Sequence, residues 1–320
     1  MGFDPKIAMA DRTLPRLLQT PAVILLLIWM LIPLGMTLYF SFIRYVLNSL
    51  RRPEWTKPSI SNWRGLGNYE FVYNNDGFWL AIYNSVFIVT SILTLTVLFG
   101  LALAILVNRH FPGQGIVRVL LISPFFVMPA VIAVLCIKLI LDPVLGLNGL
   151  AIEGINGLIA GLRDFPVLGA FFSLWPELEP ISFRATQTSA YAVIIMVTWQ
   201  WTPFAVLIFM TSLQSEDQQQ KEAAILDGAN AWSQFRNLTL PHLARPIAIV
   251  VMIQAIFHLS LYAEIEIVSR GNGNKNLPYL IGEFAANNIG AASAAGIFAV
   301  ILANIIAIFL LRMVGKTLMD

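Results

Sequence analysis

Long apolar runs recur through this chain, and they limit its possible folds more than any other feature. Six segments have the length of at least about 20 residues that a helix needs to cross a hydrocarbon core of roughly 30 Å. They are residues 20–42, 82–107, 116–141, 189–213, 246–268 and 289–311. Because lipid offers the backbone no hydrogen-bond partner, each segment is expected to be helical. The sequence therefore predicts an all-α membrane protein with six transmembrane helices.

The composition supports an integral membrane protein. Hydrophobic residues make up 58% of the chain and charged residues 12%, whereas soluble domains average about 25% charged residues. Residues 1–19 are polar and form a predicted N-terminal segment, and residues 20–320 form one predicted transmembrane domain. The net charge of +2 does not indicate a nucleic-acid partner, and the single Cys136 allows neither an intramolecular disulfide nor a Cys-rich zinc site.

The longest polar interruption with helix signals is residues 214–246, between the fourth and fifth apolar segments. Its pattern predicts two short helices, at 216–227 and 231–238. Glycine tolerates backbone conformations that end a helix, so we expect the two helices to be joined by a bend at Gly228.

The ends of these two helices carry their own signals. Ser215, followed three residues later by Gln218, predicts an N-cap with a capping-box partner. Pro241 and Pro246 lack a backbone N–H, so they are expected to prevent a continuous helix into the fifth span. The prediction is a compact polar loop with helical segments.

The loop contains small and apolar side chains that suit a docking element. Small residues let a partner approach the backbone, and large apolar ones are unusual in a freely solvated loop. The small ones are Ala223, Ala224 and Gly228, and the apolar ones are Ile225, Leu226, Trp232 and Phe235. Two interpretations fit these residues equally, a helix bound in a partner's groove or an amphipathic helix on the membrane surface.

A family resemblance favours the first interpretation. One set of loop residues has a characteristic spacing: Glu222, Ala223, Ala224, Gly228, Leu238, Leu240 and Pro241. This spacing resembles the EAA loop of bacterial ABC importer permeases, and Asp227 before Gly228 is similar to the sugar-importer branch. The resemblance implies a coupling helix seated in a cleft of a cytoplasmic ATPase.

The resemblance also implies roles for the loop residues. Glu222 is expected to fix the loop helix by charge and hydrogen bonding, and Asp227 to cap or brace the bend. The small side chains at Ala223, Ala224 and Gly228 are expected to allow close docking. Pro241 ends the matching pattern.

The similarity extends over nearly the whole chain. The last part, 299–316, is most similar to permeases of the sorbitol/mannitol type. One departure is Ser269–Gly273, where the family often has Thr-x-Gly-Gly-Pro and this chain lacks the proline. The other matching segments are Pro33–Phe42, Leu66–Tyr69, Asn84, and Asp142-Pro143 with Gly146 and Asn148.

The resemblance implies a type I ABC importer permease fold of the maltose-transporter kind. It also implies a heterodimer with a second homologous permease, two ATPase subunits, and a periplasmic or extracellular substrate-binding protein. ATP and Mg are then expected on the ATPases, with no cofactor on this chain. The expected location is the bacterial inner membrane with both termini cytoplasmic, and the density of Lys and Arg is slightly higher in the segments that this topology places inside.

Candidate residues for a transport path lie within the spans. Aromatic rings with amide partners suit a sugar or a sugar alcohol, which has apolar faces and many hydroxyl groups. The alternative is that Trp199 and Trp201 are packing residues and that Gln254 forms a hydrogen bond to a neighbouring helix. Lys138 is expected to extend towards the interface, with a substrate-binding role as the alternative. The candidates are Trp199, Gln200, Trp201, Gln254, His258 and Glu264, the last as an outer gate or a residue that reaches water.

Other functions remain as alternatives. A stand-alone secondary transporter needs coupling carboxylates within its spans or an inverted repeat, and the sequence shows neither. Because of Lys138 and His258, an ABC importer for an anionic sugar, for example a sulfonated one, is a further alternative. An enzyme is disfavoured because no Ser/His/Asp set, HExxH or CxxC pattern occurs.

Overall fold

A computed structural model describes residues 5–47, 52–163, 165 and 169–319. Across these residues the chain is helical with no β-strand, and it has only two isolated bridges. The predicted all-α class is therefore confirmed. The helices are α1 (Pro5–Ser41), α2 (Gly67–Tyr73), α3 (Asp76–Val107), α4 (Gln114–Ile122), α5 (Pro129–Leu135), α6 (Leu147–Arg163), α7 (Gly169–Phe172), α8 (Ser189–Gln214), α9 (Gln218–Leu226), α10 (Ala231–Gln234), α11 (Leu240–His258), α12 (Ala263–Val268), α13 (Leu277–Ala285) and α14 (Ile289–Met319).

The chain divides into two compact units. One unit comprises Met1–Asn75 with Ile281–Val300, and the other comprises Asp76–Leu280 with Ile301–Asp320. The single domain expected over 20–320 stays a prediction. Helix α1 begins at Pro5, so the described part of the expected N-terminal segment is helical.

Five helices of the described chain are long and apolar enough to cross a membrane. A sixth crossing is present if a bent pair, Gln114–Phe126 with Pro129–Ile140, counts as one span. The predicted number of six is thus reached with that pair. The five are Leu18–Ser41, Asp76–Val107, Ser189–Gln214, Ala231–His258 and Ile289–Arg312.

The bent pair replaces the straight helix expected at 116–141. Its two arms meet at 104°. Met128, directly before Pro129, has φ −57° and an extended ψ of 137°, and Val127 before it has φ −83° and ψ 137°. The residue before a proline avoids helical geometry, and a proline cannot donate the helical hydrogen bond. The two prolines therefore explain the break.

The loop between the fourth and fifth spans differs from expectation at its far end. Pro241 and Pro246 do not stop the helix, which runs from Ala231 to His258. The residues Phe235–Thr239 just before Pro241 form a π-helical turn. This wider turn accommodates the missing N–H of the proline without ending the helix. The predicted second helix at 231–238 was right in its start and wrong in its end.

Two other boundaries in this region also need correction. The N-cap of α9 is Asp217, whose side chain accepts the Gln219 N–H at 2.8 Å, and not Ser215. Asp is as good an N-cap as Ser, and only Asp217 directly precedes the helix. The fifth span does not continue to residue 268, because α11 ends at His258 and α12 starts after a four-residue break.

The core of the larger unit is built around α8. In its most apolar 18-residue window, 67% of residues are buried, compared with 28% for α3. Helix α8 packs along α3, and Gly100 allows close approach: a Cβ there would lie 2.7 Å from the Ala205 Cβ. Small residues at helix contacts stabilise packing in lipid, where hydrophobic burial does not drive association.

The smaller unit is held by a buried asparagine. Asn68 Nδ2 donates to the carbonyls of Ser41 and Ile43, at 2.9 and 2.8 Å, just after α1 ends. Gly290 at the start of α14 lies against the same place, because a Cβ there would meet the Ile43 carbonyl oxygen at 2.6 Å. These bonds satisfy helix-end carbonyls that have no intrahelical partner. They give a physical reason for Asn68 in the Leu66–Tyr69 motif.

The turn after the bent pair uses the expected Asp142-Pro143 motif. The Asp142 carboxylate accepts the N–H groups of Val144 and Leu145 at 2.9 and 3.0 Å. A Cβ on Gly149 would lie 2.4 Å from the Pro143 carbonyl oxygen, so the chain doubles back tightly there. Helix α6 follows at once.

Candidate functional site

Helix α9 and the start of α10 form an exposed surface with large apolar side chains. Leu226 is 88% exposed, Trp232 is 67% exposed and Ile225 is 60% exposed. The expected docking residues Glu222 and Ala223 are also exposed on α9. Apolar side chains exposed at this density between two spans indicate a surface that is covered by another molecule or by lipid.

Gly228 ends α9 in the way the sequence predicts. Its φ is +77°, in the left-handed region. The Gly228 N–H donates to the Ile225 carbonyl and the Ala229 N–H to the Ala224 carbonyl, at 3.0 and 2.9 Å. This pair of bonds is the Schellman pattern, which favours glycine at its left-handed position. Nothing lies within 4 Å of a Cβ at this glycine, so backbone conformation and not crowding within the chain requires it.

The remaining loop candidates, Asp227 and Pro241, flank these features. Asp227 follows the last residue of α9 and is exposed, and Pro241 lies in the first turn of α11. Ala224 is partly buried. The roles that the resemblance implies for these residues and for Glu222 stay predictions.

The candidate path residues fall into two groups. Trp201, Gln254 and His258 lie together, with the Trp201 and His258 rings 4.9 Å apart and nearly perpendicular. The Gln254 amide donates to the Trp201 carbonyl at 3.4 Å. Trp199 points away from this group and is 49% exposed. The two Trp side chains therefore do not form one platform.

Trp201 is surrounded by aromatic rings. Phe125, Phe204 and Phe257 lie with ring centroids 5.4, 6.0 and 5.2 Å away. Such offset and edge contacts are favourable packing arrangements. The packing interpretation of Trp201 is supported by these contacts, while a role in a path stays a prediction.

Buried polar groups near Trp201 keep spare hydrogen-bonding capacity. Gln200 is 3% exposed, and its amide donates to the Val127 carbonyl at 3.1 Å, at the break of the bent pair. Among the described residues, the Gln200 and Gln254 amide oxygens and the His258 Nε2 have no hydrogen-bond partner. Buried polar atoms are usually paired, so these atoms mark a place where another polar molecule or water is expected.

An apolar groove of about 650 Å³ lies on the other face of α8. Trp199 and Thr198 line it together with residues of α3 and α4. The Thr198 hydroxyl is buried and has no partner within the described chain. Sequence reasoning missed Thr198, and only its position one residue before Trp199 offered a signal.

Glu264 and Lys138 lie apart from these groups. Glu264 is buried in α12, 7% exposed, and its role as an outer gate or as a residue that reaches water stays a prediction. Lys138 is exposed in the π-helical turn Cys136–Ile140 that precedes the Asp142 turn. Its position near a span end fits the expected extension towards the interface.

Comparison with known families resolves the class of protein. Residues 77–319 match the family described as binding-protein-dependent transport system inner membrane component. The chain belongs to this family. It is therefore a multi-pass inner-membrane permease and not an enzyme, as the sequence predicted.

Curated relatives of this chain are ABC transporter permeases. The inner membrane permease protein YcjO of Escherichia coli is 28% identical over 300 residues, 92% of this chain and 93% of that protein. The probable permease protein y4oQ of Sinorhizobium fredii is 30% identical over 267 residues, 83% of this chain and 77% of that protein. The trehalose transport system permease protein SugA of Mycobacterium tuberculosis is 24% identical over 315 residues, with 96% and 90% covered.

A solved structure confirms the fold. It is a bacterial ABC transporter involved in the import of the acidic polysaccharide alginate, with a TM-score of 0.73 and 20% identity. The match covers 97% of this chain and 98% of that chain. At this identity the likeness concerns the importer permease fold alone.

Proposed function

We propose that this chain is one permease subunit of an ATP-driven importer for a sugar or a sugar alcohol. Its proposed partners are a second homologous permease, two ATPase subunits and a periplasmic or extracellular substrate-binding protein. The exposed apolar surface of α9, ended by the left-handed Gly228, carries the proposal. The relative named for trehalose transport supports the substrate class.

The proposed mechanism is alternating access driven from outside the chain. ATP, held with Mg on the ATPases, closes the ATPase dimer and moves α9. Helices α8 and α11 flank the loop that contains α9, so they receive this movement directly. We place the cytoplasmic side at this loop, and with six spans both termini lie on the same side.

The proposed contact with cargo uses the buried polar groups around Trp201. The free amide oxygens of Gln200 and Gln254 can accept hydrogen bonds from sugar hydroxyl groups. The Trp201 ring lies against His258, and the Gln254 amide bonds the Trp201 carbonyl. Neutral amide groups suit the hydroxyl groups of an uncharged sugar.

The test uses the complex purified from its native membrane through a tag on this chain. Reconstituted vesicles are assayed for ATP-dependent uptake of radiolabelled trehalose, maltose, sorbitol and mannitol. We expect uptake of at least one probe, and we expect Gly228→Asp to abolish it. Uptake that is unchanged in this variant contradicts docking at the bend, and uptake by the isolated chain without ATP supports a secondary transporter instead.

A matched variant separates the turn from the docking surface. Asn tolerates the left-handed conformation better than other side chains, so Gly228→Asn is expected to preserve the fold. If Gly228→Asn keeps its thermal stability but loses ATP-dependent uptake, the glycine is needed because a partner lies close to it. If it keeps both, the glycine serves the backbone alone.

A further inference from the structure

Glu216 is a buried carboxylate that connects three segments of the loop. It lies in the short link between α8 and α9, and its side chain is only 6% exposed. Its Oε1 accepts the Thr239 hydroxyl at 2.8 Å, and its Oε2 lies 3.0 Å from the Lys221 Nζ. Lys221 belongs to α9, and Thr239 is the last residue of the π-helical turn before α11. One side chain thus joins the link, the docking helix and the long helix.

These contacts are stronger than ordinary surface contacts. Hydrogen bonds to a charged group are stronger than neutral ones, and the burial of Glu216 limits screening by salt. A second contact lies beside them: the His242 Nε2 is 2.9 Å from the Ser212 carbonyl oxygen. Ser212 is in α8 and His242 is in α11, so both helices are fixed to each other at the base of the loop.

The position of Thr239 allows this contact to pass movement from α9 to α11. Isolated π-helical turns are rare and often lie at functional sites. Without a connection, α9 could change its angle to α11 at Gly228 and at this turn, and a push on α9 would be absorbed there. The hydrogen bond between Thr239 and Glu216 links the start of the loop directly to the end of the π-helical turn, so this connection does not depend on Gly228 or on the turn.

We propose that Glu216 is a positioning residue that holds α9 and the base of α11 as one rigid body, so that movement of α9 is passed into the membrane helices. Glu222, which the resemblance implies fixes the loop helix by charge and hydrogen bonding, is exposed on α9, and its role stays a separate prediction. The inference rests on the proposed function, because it assigns the residue that transmits the ATPase movement.

The experiment measures one distance in the complex purified through this chain. Spin labels are placed at Gln220→Cys on α9 and at Asn237→Cys on the π-helical turn, in a Cys136→Ala background. Gln220 and Asn237 are exposed, and Cys136 is buried and free. Distances are recorded by pulsed electron paramagnetic resonance with ADP and with ATP plus vanadate.

The expected result is one narrow distance distribution in both nucleotide states for the unmodified loop. In Glu216→Ala we expect the distribution to broaden or shift with ATP plus vanadate, although the ATPase still co-purifies. Glu216→Gln keeps an acceptor for Thr239 and loses the ion pair, so its distribution should be intermediate. Thr239→Val should act in the same direction as Glu216→Gln. Glu153→Gln, at an exposed carboxylate on α6, is the matched control and should change nothing.

Two outcomes overturn the inference in different ways. If Glu216→Ala and Glu216→Gln keep the narrow distribution in both nucleotide states, Glu216 does not hold the two helices together. If no ATPase co-purifies with the unmodified chain, the proposed function fails and the inference fails with it. If Glu216→Ala prevents assembly, the distance distributions of two other variants decide. Glu216→Gln removes the ion pair with Lys221, and Thr239→Val removes the hydrogen bond.

Discussion

At the scale of single residues, Gly273 lies in a turn that leaves no room for a side chain. Its φ is +80°, and a Cβ there would lie 1.9 Å from the Thr186 carbonyl oxygen. Next to it, the Asn272 carbonyl accepts the Ser189 hydroxyl at 2.7 Å, so the turn is fixed to the start of α8. The turn takes the place of the family's proline-containing segment.

We expect Gly273→Ala to lower the free energy of unfolding by about 3 kcal/mol, because it adds a steric clash to an unfavourable backbone conformation. The measurement is a denaturant titration in mixed detergent micelles. The matched control is Gly157→Ala in α6, where nothing lies within 4 Å of a Cβ. That control should stabilise by about 0.5 to 1 kcal/mol, since alanine is the better helix former. Equal stability of the two variants would mean that the turn has a different shape.

Asp142 gives the turn after the bent pair a dependence on pH. The N–H groups of Leu145 and Val144 donate to its carboxylate and lower its pKa below the ordinary value of 3.8. A lowered pKa means that the charged form stabilises the fold above the ordinary value, and that this contribution is lost as pH falls through the lowered pKa.

The prediction compares the melting temperature of the unmodified chain with that of Asp142→Asn across acidic pH. The unmodified chain should melt higher at about pH 6, and the difference should shrink as the pH falls below 3.8 and vanish once it passes the lowered pKa, where the carboxylate becomes protonated. Scanning calorimetry in detergent measures both. A difference that stays constant with pH would show that the carboxylate charge does not contribute to this turn.

At the scale of elements, the sequence predicted the spans better than their ends. Apolar length identifies a span directly because lipid demands it. The start of the second loop helix and the bend at Gly228 were also correct, since both have local signals. The end of that helix was wrong because the π-helical turn that accommodates Pro241 has no local signature.

The candidate site shows the same limit. The loop motif was visible because its spacing is short-range. The bond between Glu216 and Thr239 joins residues 23 positions apart, and the bond between Gln200 and Val127 joins residues 73 positions apart. Long-range pairs of this kind depend on how the helices pack, and local patterns along a single sequence do not show that packing.

The continuous helix from Ala231 to His258 leads to a prediction for Pro246. This proline lies inside α11 and leaves one helical hydrogen bond unmade. Pro246→Ala restores the N–H, so we expect the free energy of unfolding to rise by about 1 kcal/mol. The same titration in mixed micelles measures it. A clear loss of stability would show instead that the helix needs the proline to adapt to its neighbours.

At the scale of the whole molecule, the bent pair decides the topology. If Gln114–Phe126 and Pro129–Ile140 together cross the membrane, the chain has six spans, and both termini lie on one side. If they enter and leave on the same side, the chain has five spans, and the α9 loop lies on the side opposite to the turn before α4. Only the first arrangement places that turn and the α9 loop on the same side of the membrane.

Single cysteines in a Cys136→Ala background distinguish the two arrangements. The sites are His110→Cys before α4, Leu145→Cys after the bent pair and Gln220→Cys on α9, all of them exposed. We expect a membrane-impermeant maleimide to label His110→Cys and Gln220→Cys in inside-out vesicles and Leu145→Cys in right-side-out vesicles. The backbone at Val127 leaves the helical ladder, and the Gln200 amide satisfies its carbonyl. Breaks of this kind are tolerated at membrane depth only where protein covers them, as the contact with α8 does here, and this holds for a crossing and for a re-entrant pair alike. Labelling of His110→Cys and Leu145→Cys from the same side would make the pair re-entrant and would place the α9 loop on the side opposite to His110, against the proposed docking.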